Sequence, residues 1–489
     1  MIRFEPAASL PADVEAVGIP VLSDRFDDVS VDVDWSFLTL QGFEGKVGEV
    51  QVLPGDGAVR IAVGLGSSAE VTPKVVRRAA AALARAASRR ESLATTLLEV
   101  VPGSDRGRAA QALAEGMALA SYRFSRYKRD PKAPKLERVA VVVGGSGVEA
   151  LGGVRDGLDR GTVISRAVMW ARDLVNEPGG TLTPRVLAEA ASAVADPDRG
   201  LTVEVLDEVD IEAAGLGGLL GVNRGSSEPP RFIRATYEPP GGEATATIAL
   251  VGKGITFDAG GLSIKTAEGM FGMKDDMAGG AAVLGAMSAL PELGVRVRVL
   301  AYVPATDNML GGDATRPGDV LKIRNGTTVE VVNTDAEGRL ILADALSMAA
   351  EERPDAIVDL ATLTGAMQVA LGDRYAGVMG NDERVVRAVL SAAERAGEPM
   401  WPMPLPEEYR SRLDSPVADL RNTGTGRYGG ALVAGLFLKE FVDGVPWAHV
   451  DMPGPAMSEE ESDERTKGAT GFGVRTLIEL LTTFEPLGG

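Results

Sequence analysis

The chain has 489 residues, 45% of them hydrophobic and 24% charged, which suits two domains that each bury a core. A formal net charge of −19 disfavours generic binding to nucleic acid or anionic lipid, since both need surplus Lys and Arg. With no cysteine and one histidine there is no disulfide framework, and any metal must be held by carboxylates with help from lysine.

The start, Met1-Ile2-Arg3-Phe4-Glu5-Pro6, lacks the basic and apolar pattern of a signal peptide, and no stretch reaches eighteen apolar residues. A soluble, cytoplasmic protein without membrane contact is expected. Residues 46–52 and 60–65 read as short strands, and Thr72-Pro73 opens a helix with Thr as N-cap and Pro at its first position. A strand is expected at 97–101 and a helix at 106–122. Residues 139–143 form an apolar run closed by Gly144-Gly145, the mark of a buried strand. Together these predict an N-terminal α/β domain over residues 1–155.

From 156 to 175 the period becomes helical: Ile164, Ala167, Val168, Ala171, Leu174 and Val175 share one face. Asn176-Glu177-Pro178-Gly179-Gly180 ends this connecting helix, assigned to 156–180, and the domain boundary is expected on or beside it. The second domain, 181–489, alternates again, with strands expected at 201–206, 232–237, 247–251, 295–302 and 356–360. Asn325-Gly326 between 320–324 and 327–332 signals a hairpin. Helices are expected at 277–290, 339–351, 383–396 and 430–441, and the tail 486–489 should fray. The fold class is therefore α/β, with two domains, each a mixed, mostly parallel sheet covered by helices, joined by a long helix.

The charged residues that packing does not explain fall in two stretches. Lys253 follows the 247–251 strand directly, and open α/β sheets place ligands at such strand ends. Asp258, Lys265 and Asp276 follow within a glycine-rich, otherwise apolar segment. The second stretch, Asn333-Thr334-Asp335-Ala336-Glu337-Gly338-Arg339, sets two acids and a guanidinium where a β-rich segment gives way to a helix. Acids favour a helix's first turn, which accounts for one of them more readily than for both. Asp258, Asp276, Asp335 and Glu337 offer enough oxygens for two divalent ions, which would activate water and polarise a carbonyl. Mg²⁺ and Mn²⁺ suit such a site, and Zn²⁺ tolerates it. A lysine ligand works only when deprotonated, which an adjacent dication could bring about.

These residues resemble the leucyl aminopeptidase family (cytosol aminopeptidases, peptidase family M17). The matches are Gly252-Lys-Gly-Ile-Thr-Phe-Asp258-Ala-Gly-Gly, Ser263-Ile-Lys265, Met273-Lys-Asp-Asp276-Met277 and the signature octapeptide from Asn333 to Leu340. Asn176-Glu-Pro, Ala361-Thr-Leu-Thr-Gly-Ala366, Asn422-Thr-Gly and Trp447-Ala-His449-Val-Asp451 extend the likeness, which is strong from about Arg160 onward. Tyr122-Arg-Phe-Ser-Arg-Tyr-Lys128 carries it more loosely upstream. The resemblance implies that Lys253, Asp258, Asp276, Asp335 and Glu337 ligate two metal ions, with Asp258 and Glu337 bridging. It implies Lys265 as the electrophile toward the scissile carbonyl and Arg339 as the holder of a bicarbonate that relays a proton. Met273, Thr362 and Leu363 would contact peptide substrates, with leucine and other apolar N-terminal residues preferred. The assembly it implies is a homohexamer. Two departures stand out: Thr266 where Pro is common, and Asp275 where Tyr or Ser is frequent.

Other signals are weaker. Val143-Gly144-Gly145-Ser146-Gly147 is a poor dinucleotide fingerprint, because Ala150 stands where its third glycine belongs. His449 reads as a structural histidine. Arg123, Arg126, Lys128, Arg129, Lys132 and Lys135 form a basic run, read as a solvated face or subunit contact. That run is the sole support for the alternative of a DNA-binding regulator with a residual peptidase domain. Two-metal phosphoryl hydrolysis is a third reading, which the two lysines and the octapeptide disfavour.

Overall fold

The computed structural model describes residues 1–25, 35–55, 57–143, 148–426 and 428–486. The glycine-rich run at 144–147 and the last three residues of the tail lie outside them. Two compact units emerge, one of Met1–Met169 with Glu459–Lys467, the other of Trp170–Ser458 with Gly468–Gly489. The sequence reading ends the first domain at 155 and gives it nothing from the C-terminal third. The division falls inside a helix, Val148–Asn176, that overlaps the expected connecting helix and begins eight residues earlier.

Among the described residues, the first unit holds a six-stranded sheet built from β1 (Arg3–Ala7), β2 (Ala16–Val21), β3 (Val50–Leu53), β4 (Val59–Gly64), β5 (Ser92–Thr95) and β6 (Arg138–Val142). Their order is β1-β6-β5-β2-β4-β3, parallel except for β3 against β4. The Pro73–Ala86 helix starts as read, with the Thr72 side chain accepting from Val75 N. It packs with Arg106–Ala120 through small residues around the buried Arg77–Glu115 ion pair at 2.8 Å. The strand expected at 97–101 is a correction: the ladder runs through Ser92–Thr95, and the apolar run after it is a turn. Leu97 and Leu98 are buried as side chains. Hydropathy alone cannot tell such a plug from a strand.

The second unit is built on a nine-stranded sheet. Its strands are β7 (Leu201–Leu206), β8 (Arg231–Tyr237), β9 (Thr247–Gly252), β10 (Gly254–Asp258), β11 (Arg298–Asn308), β14 (Ala356–Ala361), β15 (Ala376–Gly380), β16 (Met400–Pro402) and β18 (Trp447–Asp451). The order β16-β15-β18-β14-β9-β11-β8-β7 places β18, β14, β9 and β11 together as a parallel centre, with β10 paired to β11. The antiparallel partners, β15, β8 and β7, lie to the flanks, so the sheet is mixed and mostly parallel at its middle. The Asn325-Gly326 hairpin joins β12 (Val320–Lys322) to β13 (Thr328–Glu330), and β17 (Leu420–Arg421) pairs with β13. Helices Ala278–Leu293, Gly338–Glu351, Glu383–Ala396, Gly430–Lys439 and Val474–Thr483 cover the sheet. Three of the central strands, β9, β14 and β18, end level with one another, and the charged residues gather beyond those ends.

Candidate metal centre

Lys253 leaves β9 at its carboxyl end and is buried. Its Nζ lies 2.7 Å from Asp276 Oδ1 and 2.9 Å from Glu337 Oε1. Asp276 stands just before the Ala278–Leu293 helix, whose start is drawn tight against the strand ends. A Cβ on Gly279 would fall 2.0 Å from the Leu360 carbonyl oxygen, and Gly280 N donates to Lys253 O at 2.8 Å. Glycine alone fits that approach. Asp258 ends β10, where Asn308 Nδ2 and Gly260 N each donate to its Oδ1 at 2.8 Å. The remaining Asp258 oxygen lies 2.8 Å from Lys265 Nζ, which also meets Asp335 Oδ1 at 2.6 Å.

The two stretches are sewn together by Thr334. Its hydroxyl donates to Gly260 O at 2.7 Å and accepts from Ser263 N at 2.8 Å, while its amide donates to Ser263 Oγ. Asn422, fully buried, holds the signature loop from the other side: its Oδ1 accepts from Val332 N, and its Nδ2 donates to Asn333 O and Ala336 O. The loop backbone is irregular here, which lets Asp335 and Glu337 serve one site although two residues apart. Gly338 then starts the helix. A Cβ at this position would lie 2.4 Å from Lys253 Cε, so glycine leaves the channel through which the lysine reaches the acids.

The donor set fits divalent cations. Asp258, Asp335 and Glu337 each bring a carboxylate oxygen within 4.8 Å of the others. Asp276 Oδ2 and Glu337 Oε2 are buried without a hydrogen-bond partner, an arrangement that a cation would satisfy. Burial pushes the carboxyls of Asp276, Glu337 and Asp335 upward, and the negative neighbours add to the effect. Burial would lower the Lys253 and Lys265 ammonium groups, yet the surrounding carboxylates outweigh it and hold both above the usual lysine range.

The remaining expected residues fall around this core. Thr362 O accepts from Lys253 Nζ at 3.1 Å, and Thr362 Oγ1 donates to Asp276 Oδ1 at 2.9 Å. Leu363 follows, its amide bound to Asp451. Met273 opens the short 3₁₀ turn Met273–Asp275 that leads into Asp276. Arg339 is buried, donates from one terminal nitrogen to Asn422 O at 2.8 Å, and is lowered by burial to about 10. Of the two departures, Thr266 caps the short Ala267–Met270 helix by accepting from Gly269 N. Asp275 is half-buried, and loss of hydration pushes it up to about 6. Sequence reasoning assigned no role to Asn308, Thr334, Asn422 or Asp451. Three of these lie in segments that carry the family resemblance, whereas Asn308 ends a strand with no local signal.

Four acids and two lysines at the carboxyl edge of such a sheet define a metallohydrolase. The model of the catalytic domain of the cytosol aminopeptidase family matches residues 169–478, and that of its N-terminal domain matches residues 23–131. The chain belongs to the cytosol aminopeptidase family and is a metal-dependent aminopeptidase. It is 43% identical to a probable cytosol aminopeptidase of Synechococcus over 98% of this chain and 93% of the relative. Identity to a probable cytosol aminopeptidase of Streptomyces coelicolor is 45%, over 90% and 88% of the two chains. Among solved structures, the bottromycin maturation enzyme BotP in complex with Mn superposes with a TM-score of 0.86 at 41% identity, covering 96% of this chain and 99% of that one. A mutant of tomato leucine aminopeptidase gives 0.87 at 34%, covering 99% and 96%. Neither the DNA-binding nor the phosphoryl-transfer reading finds support. Among the described residues no helix is long and apolar enough to cross a membrane.

Proposed function

We propose that the site removes the N-terminal residue of peptides, with leucine and other apolar residues preferred, in the cytoplasm and as a homohexamer. Asp258, Asp276, Asp335, Glu337 and Lys253 would hold two divalent ions, Mn²⁺ or Zn²⁺ with Mg²⁺ as a further occupant, and Asp258 and Glu337 would be shared between them. The observation that carries this reading is the meeting of the Asp258, Asp335 and Glu337 oxygens within 4.8 Å, beside two buried carboxylate oxygens that lack partners. Bound there, divalent ions supply Lewis acidity toward water and the scissile carbonyl.

The chain's own groups do the rest. Lys265, held cationic between Asp258 and Asp335, is the donor for the carbonyl oxygen as negative charge develops on it. Arg339 brings a buried positive charge that would hold bicarbonate as a proton carrier. Thr362 and Leu363 lie on the loop after β14, where their backbone groups can orient the peptide, and Met273 would shape the pocket for the first side chain. Purified protein loaded with Mn²⁺ or Zn²⁺ should release leucine from leucyl dipeptides and leave phosphoesters untouched, and it should elute at the mass of six chains. Absence of leucine release from metal-loaded protein overturns the substrate reading; a monomer mass overturns the assembly.

A further inference from the structure

On the face of the sheet beneath the Gly338–Glu351 and Gly430–Lys439 helices, β14 and β18 carry a file of polar side chains through an otherwise apolar core. Parallel pairing sets Asp359 opposite His449 and Ala361 opposite Asp451, so Trp447, His449 and Asp451 share one face of β18. All four polar members are fully buried. Trp447 Nε1 donates to Asp359 Oδ2 at 2.7 Å, and His449 Nδ1 meets Asp359 Oδ1 at 2.6 Å. The proposed function employs none of them. A charged file in a sheet core is costly, and it persists where it fixes something.

What it fixes lies at its end. Asp451 Oδ1 accepts from Leu363 N at 3.0 Å and from Thr364 N at 3.2 Å, and its Oδ2 accepts from the Thr364 hydroxyl at 2.6 Å. That hydroxyl already accepts from Met367 N at 3.1 Å, so its proton goes to Asp451. The carboxyl therefore receives three hydrogen bonds, which favour its ionised form against the burial that pushes it upward. The same loop presents the Thr362 carbonyl to Lys253 and the Thr362 hydroxyl to Asp276. Met452 N closes the frame by donating to Ala361 O at 2.8 Å.

We infer that Asp451 is a positioning residue for the reaction: it clamps the Thr362–Thr364 loop, and so sets the groups that Thr362 turns toward Lys253 and Asp276 and the backbone that faces substrate. His449 stands behind it, with Nδ1 on Asp359 Oδ1 and Nε2 buried without a hydrogen-bond partner among the described residues. Burial opposes the imidazolium, but Asp359 and then Asp451 more than offset this, and the group is raised above its usual value. Asp359 lies against the imidazole, while the Arg339 charge opposes its protonation and is itself favoured by Asp451.

This inference rests on the aminopeptidase reading, and its test separates the two. Amide hydrogen exchange of the segment bearing Leu363 and Thr364 is followed by mass spectrometry in the parent protein and in Asp451→Asn, beside β14 and β18 as internal references. Leucyl-dipeptide kinetics and Mn²⁺ titration are measured on the same samples. The loop should exchange about 10-fold faster in the variant, while the two strands keep their protection. KM should rise and kcat fall, with Mn²⁺ still bound. Parent-like loop exchange with parent-like kcat and KM overturns the inference, and so does loss of strand protection in step with the loop, which would mark a fold-wide role. Should Asp451→Asn fail to fold, Thr364→Val, which removes one of the three bonds, takes its place; a loop as protected as the parent's overturns the clamp. If the parent protein hydrolyses no dipeptide, the aminopeptidase reading falls, and the exchange data still judge the clamp.

Discussion

Lys265 and Gly338 show how little room the site leaves for substitution. Lys265 meets two carboxylates, Asp258 and Asp335, and brings one positive charge to both. Lys265→Met keeps the stem and removes the charge. Steady-state kinetics should show kcat falling by about 100- to 1000-fold with KM little altered, and metal analysis should find the ion content unchanged. Gly338→Ala acts on a different quantity. The added methyl would press on the Lys253 side chain, 2.4 Å from Cε and 2.7 Å from Nζ, so the ammonium must shift away from the acids it meets. Titration calorimetry should then show Mn²⁺ affinity weakened by about 10- to 100-fold.

At the scale of elements, the Gly338–Glu351 helix carries more than Arg339. Asp344, on its second turn, accepts from Leu219 N at 2.8 Å and from Arg324 N at 2.9 Å, tying the helix to the Gly217–Asn223 helix and to the hairpin. Burial pushes this carboxyl from 3.8 up to about 7. The folded state therefore binds the Asp344 proton more tightly than the unfolded chain, and the contribution to stability declines as pH rises from about 4 to about 7. Denaturant melts of Asp344→Asn across that window should lack this slope, and a slope equal to the parent's would refute the assignment.

Most of this architecture was readable, because apolar runs in β7, β8, β9 and β14 have the length and flanking turns of buried strands. The failures are equally physical. Local periodicity does not mark β18 as a strand, since Trp447, His449 and Asp451 on its alternate positions cannot be assigned to a core from hydropathy. The apolar run predicts an end to β11 at 302, whereas the strand runs to Asn308 through Pro304, a residue that normally stops a ladder. Among site residues, the lysines and acids stood out as charges within a glycine-rich apolar run. Asn308, Asn422 and Asp451 did not, because their partners come from strand register and from segments about 26 to 90 residues away, which no local pattern encodes.

For the molecule as a whole, the proposed role of Lys253 as a ligand would make cation binding and proton release one event. Lys253 is hydrogen-bonded to Asp276 and ion-paired with Glu337, and the carboxylates keep it protonated. An ion taken up by these acids, with the lysine as ligand, requires that proton to leave. Calorimetry in two buffers of different ionisation enthalpy should report at least one proton released per chain, and affinity should weaken as pH falls. Chelation should abolish peptide hydrolysis, and Mn²⁺ should restore it. A buffer-independent enthalpy would remove Lys253 from the ligand set.

The return of Glu459–Lys467 to the first unit also has a temporal meaning. Asp463 reaches Arg78 at 2.8 Å, Glu461 reaches Arg123 at 3.2 Å, and Arg465 O accepts from Arg85 at 2.9 Å. During synthesis these partners leave the ribosome about 290 residues after Met169, a delay on the order of 15–60 s. The nascent N-terminal unit must wait that long for these partners, and its final fastening follows synthesis of most of the second unit.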